Sequence, residues 1–257
     1  MSDHDLIAEL LARIRDHWLT GRIAPVVTDA DGTSLLPRLI DEGFDAVPGE
    51  AMALLIAIGR RGRIDDPSSR AATDLPADIH HRLVWWTAAA IRADTPSADN
   101  GVSDRLLVSA ALALLAAHDE GDRVEAAAQR LARALIAGGG NIAALLGEAL
   151  GDRRTELFTA LVAEGLGLDF VQVRDLVQDH DPSVLILALR ALAIDRDGLA
   201  RIAAALYPDR LSLLVTVIGS ASMLSADRAR AAIDPLRLPA AYRTAVRSLV
   251  LPGANLR

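Results

Sequence analysis

Apolar residues recur three and four positions apart along almost the whole of this 257-residue chain. That is the repeat of one side of an α-helix, and no stretch alternates in the strict manner of a strand. The pattern predicts an all-α protein. Helices are expected to begin near Asp3, Ser34, Glu50, Pro76, Ser103, Asp122, Asn141, Asp152, Asp169, Asp181, Asp197, Asp209 and Pro239. Most of these positions carry a Ser, Asp or Asn whose side chain can accept from exposed backbone amides, each such cap contributing about 1 kcal/mol. Gly21, Gly43, Gly62, Gly138, Gly151 and Gly165 stand where a left-handed closing residue is wanted. Short helices with short joins suit antiparallel pairs stacked as hairpins or as a HEAT-like α-solenoid.

Two joins are longer and polar, TGRIAPVVTDADGTS over Thr20 to Ser34 and ADTPSADNGVS over Ala93 to Ser103. The second predicts a boundary between an N-terminal helical half, residues 1–93, and a C-terminal half, residues 101–257. Within the C-terminal half, LVQDHDPSVLILALRAL (Leu176 to Leu192) has the form of the second part of a HEAT-type repeat. Asp181 is placed to cap, Pro182 takes a first-turn position where its missing donor costs nothing, and Val184, Leu185, Ala188, Leu189 and Leu192 have buried spacing. The basic residue usual after the valine is replaced by Leu185.

Composition narrows the chemistry. Apolar residues make up 51% and aromatics only 3%, so the core has to be built from aliphatic side chains packed helix on helix. There is no cysteine, which removes disulfides, thiolate metal sites and cysteine nucleophiles together, and no cofactor is expected. The first residues, MSDHDL, are acidic early and lack the basic start of a secretory signal, so a cytoplasmic address is expected. The longest uncharged run, Leu211 to Ala226, falls short of a membrane span and reads as a buried helix.

A net charge of −7 disfavours a protein that mainly coats phosphate backbones. All 27 basic residues are arginine, which a GC-rich coding bias explains better than selection for bidentate recognition, although Arg does suit phosphate and carboxylate binding. Residues 1–50 hold four Arg against ten Asp and Glu, and residues 201–257 hold eight Arg against three Asp. Opposite signs at the two ends favour contacts with a partner or a second copy, so a homo-oligomer is allowed.

Several elements between Asn141 and Tyr207 occur in one order: a leucine-rich helix (Leu145–Leu150), a Gly-Asp turn (Gly151–Asp152), a helix with Phe158, a Leu-Gly-Leu link (Leu166–Leu168) and a Val-Arg-x-Leu helix (Val173–Leu176). Upstream, LPADIHHRLVWWTAAAIR (Leu75 to Arg92) places Trp-Trp before an alanine run and an arginine. Over residues 75–210 the chain resembles domain-of-unknown-function family 2336, a bacterial group of HEAT-like helical proteins. The resemblance implies a fold; it brings no activity and no catalytic residue.

The motifs that could carry chemistry mostly lack the residues it needs. His80 and His81 are adjacent and point about 100° apart on a helix, so they cannot jointly chelate a metal. His81 and Trp85 lie one turn apart and read as a wedge between helices or as an aromatic shelf for a ligand or peptide. Thr28 to Ser34 fails as a calcium loop, because Val27 and Arg38 would occupy ligand positions. AGGGN (Ala137 to Asn141) lacks the ending of a phosphate-binding loop and reads as a helix stop followed by a cap. GRRGR (Gly59 to Arg63) is the densest basic cluster, and Arg243 with Arg247 form a basic stripe one turn apart.

No pairing of nucleophile and base emerges, and there is no lysine for a Schiff base. The sequence therefore predicts a non-catalytic adaptor or regulator that binds a protein partner, with Arg60, Arg61, Arg63, His81, Trp85, Arg243 and Arg247 as its interaction surface. A nucleic-acid-binding solenoid using the arginines, which the net charge disfavours, and a small-ligand sensor beside Trp85 are the alternatives.

Overall fold

The computed structural model describes residues 3–23, 34–42, 44–61, 74–95 and 100–250, and the regular structure among them is entirely helical. In chain order the helices are α1 (His4–Arg22), α2 (Leu35–Glu42), α3 (Val47–Arg61), α4 (Ala77–Asp94), α5 (Asn100–Ala116), α6 (Val124–Ala137) and α7 (Ile142–Gly151). There follow α8 (Thr155–Leu166), α9 (Phe170–Gln178), α10 (Ser183–Ala191), α11 (Arg196–Leu206), α12 (Leu211–Ser222), α13 (Ala226–Ile233) and α14 (Ala240–Val250). Single turns of tighter helix occur at Glu120–Asp122, Pro208–Arg210 and Asp234–Arg237.

Local caps start many of these helices. Asn141 Oδ1 accepts from the backbone N–H groups of Ala143 (3.1 Å) and Ala144 (3.3 Å), and Asp169 Oδ1 from those of Val171 (2.9 Å) and Gln172 (3.3 Å). Two expected caps are corrected. Asp195, not Asp197, caps α11, accepting from Gly198 N–H at 2.7 Å. The Asp152 carboxylate serves the start of α2 instead of α8, accepting from Ser34 Oγ (2.7 Å) and from the backbone N–H of Leu35. Helix ends also differ from expectation. The left-handed positions after α6, α7 and α8 are Gly139 (φ 76°), Arg153 (φ 57°) and Gly167 (φ 64°), not Gly138, Gly151 and Gly165. Gly165 lies inside α8, where a Cβ would come within 2.6 Å of Ile142 and 2.8 Å of Leu192; the glycine is there for close packing.

The chain gathers into two compact units, Met1–Ile14 with Leu36–Leu131, and Arg15–Leu35 with Ala132–Arg257. The link at residues 93–103 falls inside the first of these. Helix α8 is the centre of the second unit: Leu157, Phe158, Ala160, Leu161 and Val162 are fully buried, and it packs against α7, α9 and α10. A helix apolar all round belongs in an interior. Helix α12 departs from that rule, because among its described side chains only Leu214, Ile218 and Ala221 are buried while Val215 is 69% exposed. The uncharged run therefore covers the unit with one stripe and is not an inner helix. Among the described residues no helix is long and apolar enough to cross a membrane.

The first unit adds a network of ions to an aliphatic core that includes Leu36, Leu54, Ile79, Val124 and Leu131. Arg61 pairs with Asp74 and, at 2.6 Å, with Glu125. Arg123 lies 3.4 Å from Glu125, and Arg13 lies 3.1 Å from Glu9 and 3.6 Å from Asp74. Asp74 also accepts the Val124 N–H at 3.1 Å, closing the start of α6. Burial alone would raise the Glu125 carboxyl, but the guanidinium groups of Arg61 and Arg123 overcome it and hold it below its ordinary 4.5.

Candidate partner-binding groove

In the second unit, the turn between α9 and α10 is built by its own aspartates: Asp179 Oδ1 accepts from Asp181 N–H at 3.0 Å and Asp181 Oδ1 from Ser183 N–H at 2.9 Å. This is the QDHDPS stretch read from the sequence as a repeat turn. Two residues after α11 lock onto it. The Tyr207 hydroxyl lies 3.2 Å from the Val177 carbonyl and 3.4 Å from that of Leu176, satisfying acceptors that the end of α9 leaves open. Burial pushes that phenol up, the nearby Asp179 adding to it, so Tyr207 stays a neutral donor. Arg210 donates to the His180 carbonyl and lies 3.0 Å from His180 Nδ1.

Opposite this turn runs the last part of α1. Gln178 donates to Asp16 at 2.6 Å, Thr20 and Thr155 hydroxyls lie 3.1 Å apart, and Arg22 pairs with Asp209. Between them is a groove of about 910 Å³ lined by Arg15, Trp18, Arg22, Asp175, His180 and Arg210 among others. Trp18 is 67% exposed at its edge, and the Arg22 guanidinium sits 5.0 Å from the Trp18 ring centroid, within cation–π range. The lining holds three arginines (Arg15, Arg22, Arg210) and three aspartates (Asp175, Asp179, Asp209). Desolvation raises the Asp175 carboxyl against the pull of Arg174 and Arg15. On the other side of α9 a second cavity of about 640 Å³ shares Asp175 and Asp179 and reaches Arg243.

The groove offers an aromatic anchor in a charged frame with no net sign. Among the described residues no group of three or more His, Asp or Glu side chains is placed to hold a metal ion.

The family model described as an uncharacterised protein conserved in bacteria, DUF2336, matches residues 70–245. The chain belongs to this family. No curated protein and no solved structure matches it. The DUF2336 region supplies the α9–α11 wall of the groove, whereas Arg15, Trp18 and Arg22 on the facing wall precede it.

The residues singled out in the sequence lie elsewhere. Arg60 bonds Asp122 at 2.6 Å and Arg61 is held in the ion network of the first unit. Arg63 lies outside the described residues, and the Arg247 side chain does too, although its backbone is part of α14. Arg243 lines the second cavity. His81, exposed, accepts from Trp85 Nε1 at 3.2 Å with the rings edge-on at 67°, so the indole N–H finds its acceptor one turn back on the same helix.

The partner that the spacing did not suggest is His118, which stacks on buried His80 with ring centroids 4.3 Å apart and planes at 26°. Burial first, then the charges of His118 and His81, lower the His80 value below 6.5, against a hydrogen bond to the Leu114 backbone. The unfolded chain then binds the proton more readily, so His80 stabilises the fold above its ordinary value and that contribution is lost as the pH falls through it. The thermal midpoint of the protein is expected to drop between pH 7.5 and pH 5.5. His80→Asn should flatten that dependence; an unchanged slope in the variant would assign it to another group.

Trp18, Arg15, Arg22 and Arg210 were missed. The only signal for Trp18 was its place on the Ile7, Leu10, Leu11, Ile14, Trp18 stripe of α1, whose 3–4 spacing reads as a core face; all five are 45% or more exposed.

Proposed function

We propose that this DUF2336 protein is a non-catalytic, cytoplasmic interaction scaffold whose helical pairs stack in a HEAT-like manner and whose second unit takes a segment of another protein into the groove beside Trp18. The observation that carries the reading is Trp18 itself, an indole left open to solvent beside Arg22 at the mouth of a groove that also presents Arg15 and Arg210. Tryptophan and arginine dominate the few residues that carry most of the energy of protein interfaces. The aspartates that share the lining with those arginines favour a segment of mixed charge over a phosphate backbone, whose affinity comes from uncompensated cations.

Affinity capture from the native cell with wild-type protein and with Trp18→Ala tests this. Proteins recovered by the first and lost by the second supply a synthetic segment, to be titrated into a Trp85→Phe, Trp86→Phe variant in which Trp18 is the remaining indole. Saturable binding that shifts Trp18 emission is expected, weakened about tenfold or more by Trp18→Ala. Recovery of the same proteins by both baits, or binding that leaves the emission unmoved, would count against it.

A further inference from the structure

Helices α4 and α5 pair as an antiparallel hairpin: Arg92 and Asp104 join its linked end, and the His80–His118 stack closes the other. Helix α5 is unusual. From Leu106 to Ala117 it reads LLVSAALALLAA, twelve residues without a charge, the composition of an inner helix. Yet its only buried residue among those described is Ala111, while Leu106 is 66%, Leu114 58%, Leu112 53% and Val108 44% exposed. The facing helix adds Trp86 at 40% and Ile91 at 48% from its own uncharged run, Leu83 to Ile91.

Side chains this apolar around the whole circumference of a helix call for neighbours on more sides than the hairpin supplies. We infer that a second copy of this chain covers the hairpin, α4 and α5 of one protomer packing on α4 and α5 of the other as a two-fold four-helix bundle. Several features favour a second copy as the occupant. A covering surface has to be apolar and uncharged over about three helical turns, and the hairpin is itself such a surface, so a two-fold axis makes it its own complement. Ser109, Ala110 and Ala113 are small enough to let helices approach closely. If each exposed apolar side chain gives up most of its remaining area, a pair of hairpins buries on the order of 1,200 Å² in total, the lower bound of a stable specific interface. The exposed stripe of α1 is a weaker candidate, because that helix is amphipathic and spends Glu9 and Arg13 on its other side.

The test is oligomeric state by light scattering and sedimentation from 1 to 200 μM, with helical content followed by circular dichroism. Wild-type chain is expected at about twice 27.2 kDa. Leu106→Glu with Leu112→Glu, both at solvent-open positions, should keep the helical signal and weaken association at least 100-fold. Ile14→Glu on α1 should leave the dimer intact. A wild-type chain that stays monomeric throughout, a doubly substituted chain that still dimerises, or a dimer dissolved by Ile14→Glu alone would each overturn the assignment.

Discussion

Phe158→Ala is expected to destabilise the second unit by about 3–5 kcal/mol, the range for truncating a buried aromatic ring. Phe158 is 0% exposed and stands in the middle of α8, whose other buried residues face α7, α9 and α10. The ring has no open side into which the surroundings can collapse, so most of its volume would be left as a cavity. Chemical denaturation, with hydrogen exchange followed at α7 to α10, measures the loss where it occurs. Phe44→Ala is the comparison: Phe44 is 83% exposed, and its removal should change stability by no more than about 0.5 kcal/mol. Equal effects at the two positions would mean that α8 is not the centre of its unit.

Arg61→Met is expected to cost the first unit about 3 kcal/mol, at the low end of the range for removing one member of a buried ion pair. The cost arises less from the lost attraction than from what stays behind: Glu125, 6% exposed, and Asp74 each keep one remaining arginine, Arg123 and Arg13 respectively. Glu125→Gln in the Arg61→Met background should recover part of the loss, since the stranded charge is gone. Stability of the wild type should also fall in acid. The Glu125 value is depressed in the folded state, so its contribution is full above the ordinary 4.5 and is lost as the pH drops below it. A melting temperature in Arg61→Met equal to that of the wild type would remove the network from any account of this unit.

Helix content was legible from periodicity, and caps were legible where donor and acceptor are close in sequence, as at Asn141 and Asp169. Asp152 was misassigned because the amide it serves, that of Leu35, lies 117 residues away. Gly165 read as a stop because local pattern cannot distinguish a glycine that ends a helix from one that admits Ile142 and Leu192. Arg61 stood out only as part of a basic cluster; Asp74 and Glu125 reach it from two separate segments, which no window of sequence brings together. His80 and His81 are equivalent in composition, and only the position of His118 decides which of them goes inside. In α5 the apolar composition argued for burial, while most of its large side chains are open to solvent. The groove was the least legible feature, since Trp18 carries the spacing of a core residue and its facing wall begins more than 150 positions later.

The contact of Arg61 with Asp74 has a consequence for the start of α6. Asp74 is held from one side by the last residue of α3 and from the other by the amide of Val124. One carboxylate therefore splices the end of α3 to the first residue of α6, so that a disturbance at either helix terminus is passed to the other through a single side chain.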